Sequence, residues 1–296
     1  MFPITTTKAH TTCISPDGTR IVSGGAYWDE VGKIRIWDCG GSVLTEFKGH
    51  RGPINGVCMT PDGTRIVSGG EDKTVKVWDI ATGRVLRTLS GHTGGVTSVC
   101  VSPNGRWVVG GSWDKTVRVW SMENGETIRT IPEGLGGGPE VCMTPDGARV
   151  AIGNKDGRIV VRGLWHTHVL PFTLTGHTDY VTSICVSQDG TRIVSGSSDH
   201  TVKVWDMVTG KELRTLSGHT GGVTSVCMSP DGTRIVSGSW DRTVKVWDAA
   251  TGTEIRTLAR CDNLHRTVNS VCVSQDGMRL VTASSNEIII WDFDDM

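Results

Sequence analysis

Long hydrophobic runs are absent: nothing in the 296 residues approaches the ~18 apolar positions a membrane-crossing helix needs. Charge of one sign is missing as well. With 30 Lys plus Arg against 31 Asp plus Glu, no net field draws the chain to nucleic acid or anionic lipid. The opening MFPITTTKAH lacks the basic-then-apolar pattern of a secretory signal. Helical periodicity is missing throughout, and no linker or composition shift separates one half from the other. These absences lead to the expectation of a soluble cytosolic or nuclear protein, one domain over 1–296, with no membrane contact.

Cysteine is plentiful, with nine residues, but a disulfide framework does not follow. Seven of them, Cys13, Cys58, Cys100, Cys142, Cys185, Cys227 and Cys272, occupy one position of a repeated pattern. Equivalent positions lie a whole unit apart, beyond the ~4.4–6.8 Å Cα separation of a disulfide. They are expected to be small hydrophobes of the core. Cys39 and Cys261 fall outside the pattern, and a reducing compartment fits.

The repeat itself is the strongest signal present. The 30 residues from Gly218 to Trp247 match Gly91 to Trp120 at 22 positions, and weaker copies recur every 41 to 44 residues. Such a period means units that bury a core only against their neighbours. Within a unit, Val223–Met228 alternates as a strand should, and Asp231-Gly232 follows as a two-residue type I′ hairpin signal. The turn recurs at Asp17, Asp62, Asn104, Asp146, Asp189 and Asp276, each followed by Gly, which predicts seven units. A second strand over 233–238, a Ser-Trp-Asp-Arg turn, a third strand over 243–248 and an outer strand over 254–258 complete the unit.

Gly-His stands at Gly49, Gly91, Gly176 and Gly218, and Trp-Asp at Trp37, Trp78, Trp205, Trp247 and Trp291, with Trp120-Ser121 a near match. Bracketed this way over nearly its whole length, the chain resembles the WD40-repeat family. That resemblance implies an all-β, seven-bladed propeller of four-stranded antiparallel blades. Unit four departs from the pattern, with Gly134 for the His and Arg162 for the Trp. Its glycine-rich 134–139 loop lacks the Lys-Ser/Thr of a phosphate cradle and reads as an interblade connection. Unit one carries four extra residues around 26–32. The seventh unit stops at Met296 before a fourth strand. Either residues 2–7 close the ring weakly, or 287–291 is an open edge available for pairing.

Ser, His and Asp recur together as His50, Ser68, Asp72 with Trp78, as His177, Ser195, Asp199 with Trp205, and as His219, Ser237, Asp241 with Trp247. A hydrolase needs one such set beside one cleft. Three copies point to a task each blade performs for itself, and the resemblance implies a buried structural hydrogen-bond chain. Unit three supplies His92, Asp114 and Trp120 but has Gly110 at the serine position, and unit four keeps only Asp156. His166 and His168 form a possible ligand pair with no third member, so no metal and no cofactor are expected. Arg20, Arg65, Arg149, Arg192, Arg234 and Arg279 share one position, offset by the turn aspartates. Trp107, inside a strand where other units have Arg, reads as packing.

Positions that differ between near-identical units are free of the shared structural task. Just before the tight-turn Asp stand Trp28, Glu71, Trp113, Lys155, Ser198 and Trp240, with Ser285 before Asn286. The loop after Gly-His is Thr-Gly-Gly in units three and six but brings Tyr180 in unit five. The resemblance places these residues on one rim, beside the channel mouth. Exposed Trp and Tyr dominate interface hot spots. The expectation is a non-enzymatic scaffold that binds a protein or peptide through Trp28, Glu71, Trp113, Lys155, Tyr180, Ser198 and Trp240. It takes no small-molecule substrate and no nucleic acid. The alternatives are docking into a larger complex through the unit-seven edge, and a channel enzyme, which a single strongly perturbed carboxylate at the channel mouth would revive.

Overall fold

The computed structural model describes residues 2–5 (backbone), 9–25, 31–132, 138–165, 170–258, 267–284 and 287–292. Among these there are 28 strands and no helix, arranged as seven four-stranded antiparallel sheets. The sheets are the blades: 11–51, 54–89, 96–132, 140–174, 181–217, 223–258, and 268–292 completed by Phe2–Thr5. Each blade's first strand pairs with its second, the second with its third, and so outward.

The reason for this arrangement is visible in blade six. In Arg234–Ser239 every residue after the first is buried, so both sheet faces are covered. Its outer strand Glu254–Leu258 buries only Leu258. A sheet with two apolar faces needs a neighbour on each side, and the core accordingly divides into seven interblade clusters. One joins Val194, Val202, Leu216 of blade five to Val223, Val226, Trp247 of blade six. Another joins Ile21 and Trp37 of blade one to Val281, Ile288 and Ile290 of blade seven. Each fully buried aliphatic contributes roughly 1.5–3 kcal/mol.

Polar stitches follow the same period. In blades two, three, five, six and seven the innermost strand carries a bulge. The extra residue reaches the next blade: Asn55 to the Val96 carbonyl (2.9 Å), Thr97 to Pro139 (2.9 Å), Thr182 to Val223 (2.5 Å), Thr224 to Val268 (2.5 Å) and Asn269 to Ala9 (3.2 Å). A bulge is thereby the device that aims each donor across the gap.

The ring is closed in register. Phe2, Pro3, Ile4 and Thr5 pair antiparallel with Ile290, Ile289, Ile288 and Glu287. This corrects the open-edge alternative: the outer side of 287–290 is already occupied. Closure is reinforced inside, where the Thr12 hydroxyl donates to Ser270 (3.0 Å) and Arg279 Nη1 to the Gly18 carbonyl (2.6 Å).

One further expectation needs revision. The Asp-Gly turns are not type I′, because only the glycine is left-handed, for example Gly18 at φ 67° and Gly232 at φ 69°. Ser15 and Arg20 flank a four-residue loop instead, closed by Gly18 N–H to the Ser15 carbonyl (2.8 Å). The Ser15 hydroxyl is the organiser, donating to Asp17 (2.5 Å) and accepting from Arg20 N–H (2.9 Å). The seven repeat cysteines pack against the interblade clusters as small hydrophobes, half-buried at their margins. Burial still pushes the thiols up, Cys142 to about 11 and Cys272 to about 12. No disulfide joins the described cysteines, and Cys261 lies outside the described residues.

The opposite turns, between second and third strands, hold the real backbone strain. Lys73, Lys115, His200 and Arg242 have φ of 68°, 66°, 72° and 72°, where blade four has Gly157. A side chain in the left-handed region costs roughly 1–2 kcal/mol, partly offset by the entropy glycine loses on folding. Arg242→Gly is therefore expected to raise stability by about 0.5–1 kcal/mol in urea titration; a loss would refute strain at this turn.

Candidate functional site

In blades two, five and six the repeated polar side chains form one chain each. Trp78 Nε1–H donates to Ser68 Oγ (2.8 Å), Ser68 Oγ lies 2.7 Å from His50 Nε2, and His50 Nδ1 lies 2.9 Å from Asp72. The links are 2.8, 2.8 and 2.8 Å through Trp205, Ser195, His177 and Asp199. Through Trp247, Ser237, His219 and Asp241 they are 2.8, 2.8 and 2.7 Å. One proton arrangement satisfies every group: the serine accepts from Trp, donates to a neutral imidazole, and Nδ1–H donates to the carboxylate. Gly49, before His50, leaves room for the Trp78 ring, which a Cβ there would meet at 2.6 Å.

Although Asp, His and Ser stand in triad order, chemistry at the serine is closed off. Ser68, Ser195 and Ser237 are 0 % exposed, and each oxygen is already committed to an indole N–H. A nucleophile needs a free face toward a carbonyl carbon. In blade three, His92 Nε2 turns to the Gly110 carbonyl (3.3 Å) and Trp120 to the Ser90 carbonyl (3.1 Å), while Nδ1 keeps Asp114 at 2.8 Å. Burial drives the Asp114 carboxyl up, but bonds from Thr116, Thr93 and His92 outweigh it and bring it to about 2.

The variable positions form a different surface, at the end of the blades carrying these tight turns. Main-chain bonds fix it: Glu71, Trp113, Ser198 and Trp240 each donate N–H (2.9 Å) to Pro53, Gly95, Tyr180 and Gly222 of the loop after the Gly-His position. Trp113, Tyr180 and Trp240 are 44, 48 and 53 % exposed. Glu71, Lys155 and Ser198 each meet the loop of the following blade. Glu71 leans over Gly95, while Asn55 donates to its carboxylate (3.0 Å). Gly222 lies between Ser198 and the Trp240 ring, where a Cβ would come within 2.8 Å of the indole.

Lys155 is the centre of the set. Its ammonium sits 4.0 Å from the Trp113 ring centroid of blade three and 5.1 Å from the Tyr180 ring of blade five. Trp113, Lys155, Tyr180, Ser198 and Trp240 thus run along the rim of blades three to six, with Glu71 beside them on blade two. Trp28, Ser285 and Asn286 lie outside the described residues, as do Gly134, His166 and His168. Trp107 packs 4.8 Å from the Trp165 ring of blade four.

Two residues of blade four escaped sequence reasoning. Glu140, on the innermost strand, is paired in the sheet with Gly153 and bonded to Ser98 of blade three. Burial pushes its carboxyl up to about 7, and the Cys100 and Cys142 thiols lie beside it. The signal was a column: two residues before the shared Cys stand Thr11, Gly56, Ser98, Glu140, Ser183, Ser225 and Ser270. Asn154, 1 % exposed, has neither amide atom hydrogen-bonded among the described residues, and it precedes Lys155. Among the described residues no group of three or more His, Cys, Asp and Glu could hold a metal.

Five stretches, 41–79, 83–121, 169–206, 210–248 and 252–292, match the family model described as WD domain, G-beta repeat. The chain belongs to the WD40 family. No matched stretch includes 122–168, which holds three strands of blade four, the WD40 repeat without its Trp and His. Curated relatives align over about one repeat. The ribosome biogenesis protein BOP1 homolog of Drosophila grimshawi is 55 % identical over 40 residues, 14 % of this chain and 5 % of that protein. F-box/WD repeat-containing protein 7 of Drosophila melanogaster is 56 % identical over 45 residues, 15 % of this chain and 3 % of that protein. The aligned segments thus span a twentieth or less of these relatives.

Proposed function

We propose that this propeller is a non-catalytic scaffold that holds a protein or peptide partner across the Trp113–Trp240 rim. The observation that carries this reading is the convergence of three exposed aromatic rings and Lys155 at positions the repeat leaves variable. Rings presented on fixed turns lose little entropy on binding, and aromatic anchors dominate interface energy. Glu71 would set charge preference at the polar edge. The similarity to a ribosome biogenesis protein and to an F-box protein spans about one repeat each, so it speaks for the repeat and not for a pathway. Combining Trp113→Ala with Trp240→Ala should leave the melting temperature within about 2 °C, since both rings are exposed. Partner recovery in affinity capture with mass spectrometry should then fall at least tenfold. An unchanged partner set would defeat the reading.

Glu140 supports a second reading, in which the channel carries proton chemistry, because a carboxyl titrating near 7 suits general acid–base work. Its recorded neighbours are one hydroxyl and two thiols. Turnover of any channel substrate would then disappear in Glu140→Gln, while partner capture would not.

A further inference from the structure

The rim carries charged groups of both signs. Its inward carboxylates, Asp72, Asp114, Asp199 and Asp241, are all but buried and wrapped by donors. Following each in the chain is an exposed tight-turn residue, and Lys73, Lys115 and Arg242 supply three cations there. Each of these cations directly follows one of those aspartates in the chain. Lys155 is different. The neighbouring Asp156 is engaged by Arg158, whose N–H donates to it (3.2 Å) and whose guanidinium lies 3.5 Å away. Among the described residues no carboxylate reaches the Lys155 ammonium, which has only the faces of Trp113 and Tyr180.

The clamp is rigid. Val181 N–H, next to Tyr180, donates to the Asn154 carbonyl, next to Lys155 (3.1 Å). Tyr180 is further fixed by Ser198 N–H on its carbonyl (2.9 Å) and by its own N–H on Asp179 Oδ1 (2.7 Å). An ammonium held between two rings loses part of its hydration, so an anion placed against it interacts more strongly than at an open surface.

We propose that Lys155 receives a carboxylate side chain of an extended peptide, with an apolar residue next to that carboxylate lying on the Trp113 or Tyr180 ring. This rests on the scaffold reading and adds the chemistry of the partner. A single ammonium matches a singly charged carboxylate better than a phosphate dianion, which is bound by several donors together. A cationic side chain would have to displace Lys155 from the rings and then face it.

The test uses the full chain and immobilised peptide libraries of about twelve residues, alike in Leu, Phe, Ser and Gly and differing in Glu, Gln, Lys or phosphoserine. The Glu library should bind best, weakening about tenfold per lost ion pair where the pair is partly desolvated. Lys155→Gln should abolish the preference for Glu over Gln, Lys155→Arg should keep it, and each variant should melt as the parent does. Equal binding of Glu and Gln libraries overturns the proposal while leaving a partner surface in place. Preference for the Lys library, strengthened by Lys155→Gln, would assign the rings to a partner cation instead. Preference for phosphoserine would also overturn it. Failure of every library to bind, with partner capture insensitive to Lys155→Gln, would remove Lys155 from the interface altogether.

Discussion

Asp241→Ala is expected to destabilise the protein by about 3 kcal/mol, against less than about 1 kcal/mol for Asp156→Ala. The Asp241 carboxylate accepts from His219 Nδ1 (2.7 Å), Thr220 N–H (3.0 Å), Thr243 N–H (2.9 Å) and the Thr243 hydroxyl (2.6 Å), and its side chain is 7 % exposed. Alanine would strand all four donors at once, and with them the Ser237–Trp247 end of the chain. Among the described residues Asp156 is held only by Arg158, in a blade without the network. In thermal melts of a chain this size the difference is roughly 5–10 °C. Equal shifts for the two variants would sink the structural account of the network.

The pH dependence gives the same experiment a second readout. Burial pushes the Asp241 carboxyl up, but bonds from Thr243 and His219 outweigh it and hold it below the usual range. A carboxyl lowered by folding stabilises above its unfolded value near 3.8, and that stability is lost as pH falls through the folded value. Burial also lowers His219 below 6.5, against the pull of Asp241, so acidification below 6.5 favours the unfolded chain in which this imidazole is free to charge. The gap between parent and Asp241→Ala should therefore be widest near neutral pH. It should begin to narrow only below about pH 4 and go on narrowing as pH falls through the carboxyl's lower folded value.

Much of this was legible in the chain itself, because a repeat compares each residue with its own copies. His219, Ser237, Asp241 and Trp247 stand out by recurring, Trp113 and Trp240 by failing to recur. What stayed hidden depends on distances between units. That Lys155 lies between Trp113 and Tyr180 needs the juxtaposition of three consecutive blades, which no spacing within one unit encodes. The Asp-Gly turns misled because the pair also suits a longer loop when a Ser or Thr hydroxyl precedes it, as Ser15 does. Pairing of Phe2–Thr5 with Glu287–Ile290 joins the most distant parts of the chain, and so few residues carry no register signal of their own. Glu140 was hidden for another reason. A carboxylate reads as surface until the innermost strand places it beside the Cys100 and Cys142 thiols.

That position provides the last large effect. Glu140→Ser should leave stability almost unchanged at pH 5 and raise it by roughly 2–3 kcal/mol at pH 8. The folded carboxyl titrates at about 7 because burial disfavours its charge, while its value in the unfolded chain is near 4.5. Between those values the folded state holds a proton that the unfolded state has released, so stability falls as pH rises. Above pH 7 the folded chain carries a half-buried anion whose one bonded side chain is Ser98. Serine removes that charge and restores the residue found at Ser183 and Ser225. There the hydroxyl accepts the next blade's main-chain N–H, from Val226 and Val271, at 3.0 Å each. The sign is opposite to that of Asp241, whose contribution grows with pH, so one titration series separates the two. A benefit independent of pH, or a loss at pH 8, would show that Glu140 is not held against its charge. If the scaffold reading holds, the same variant should capture partners as the parent does, because Glu140 lies on the innermost strand and the rim residues do not touch it.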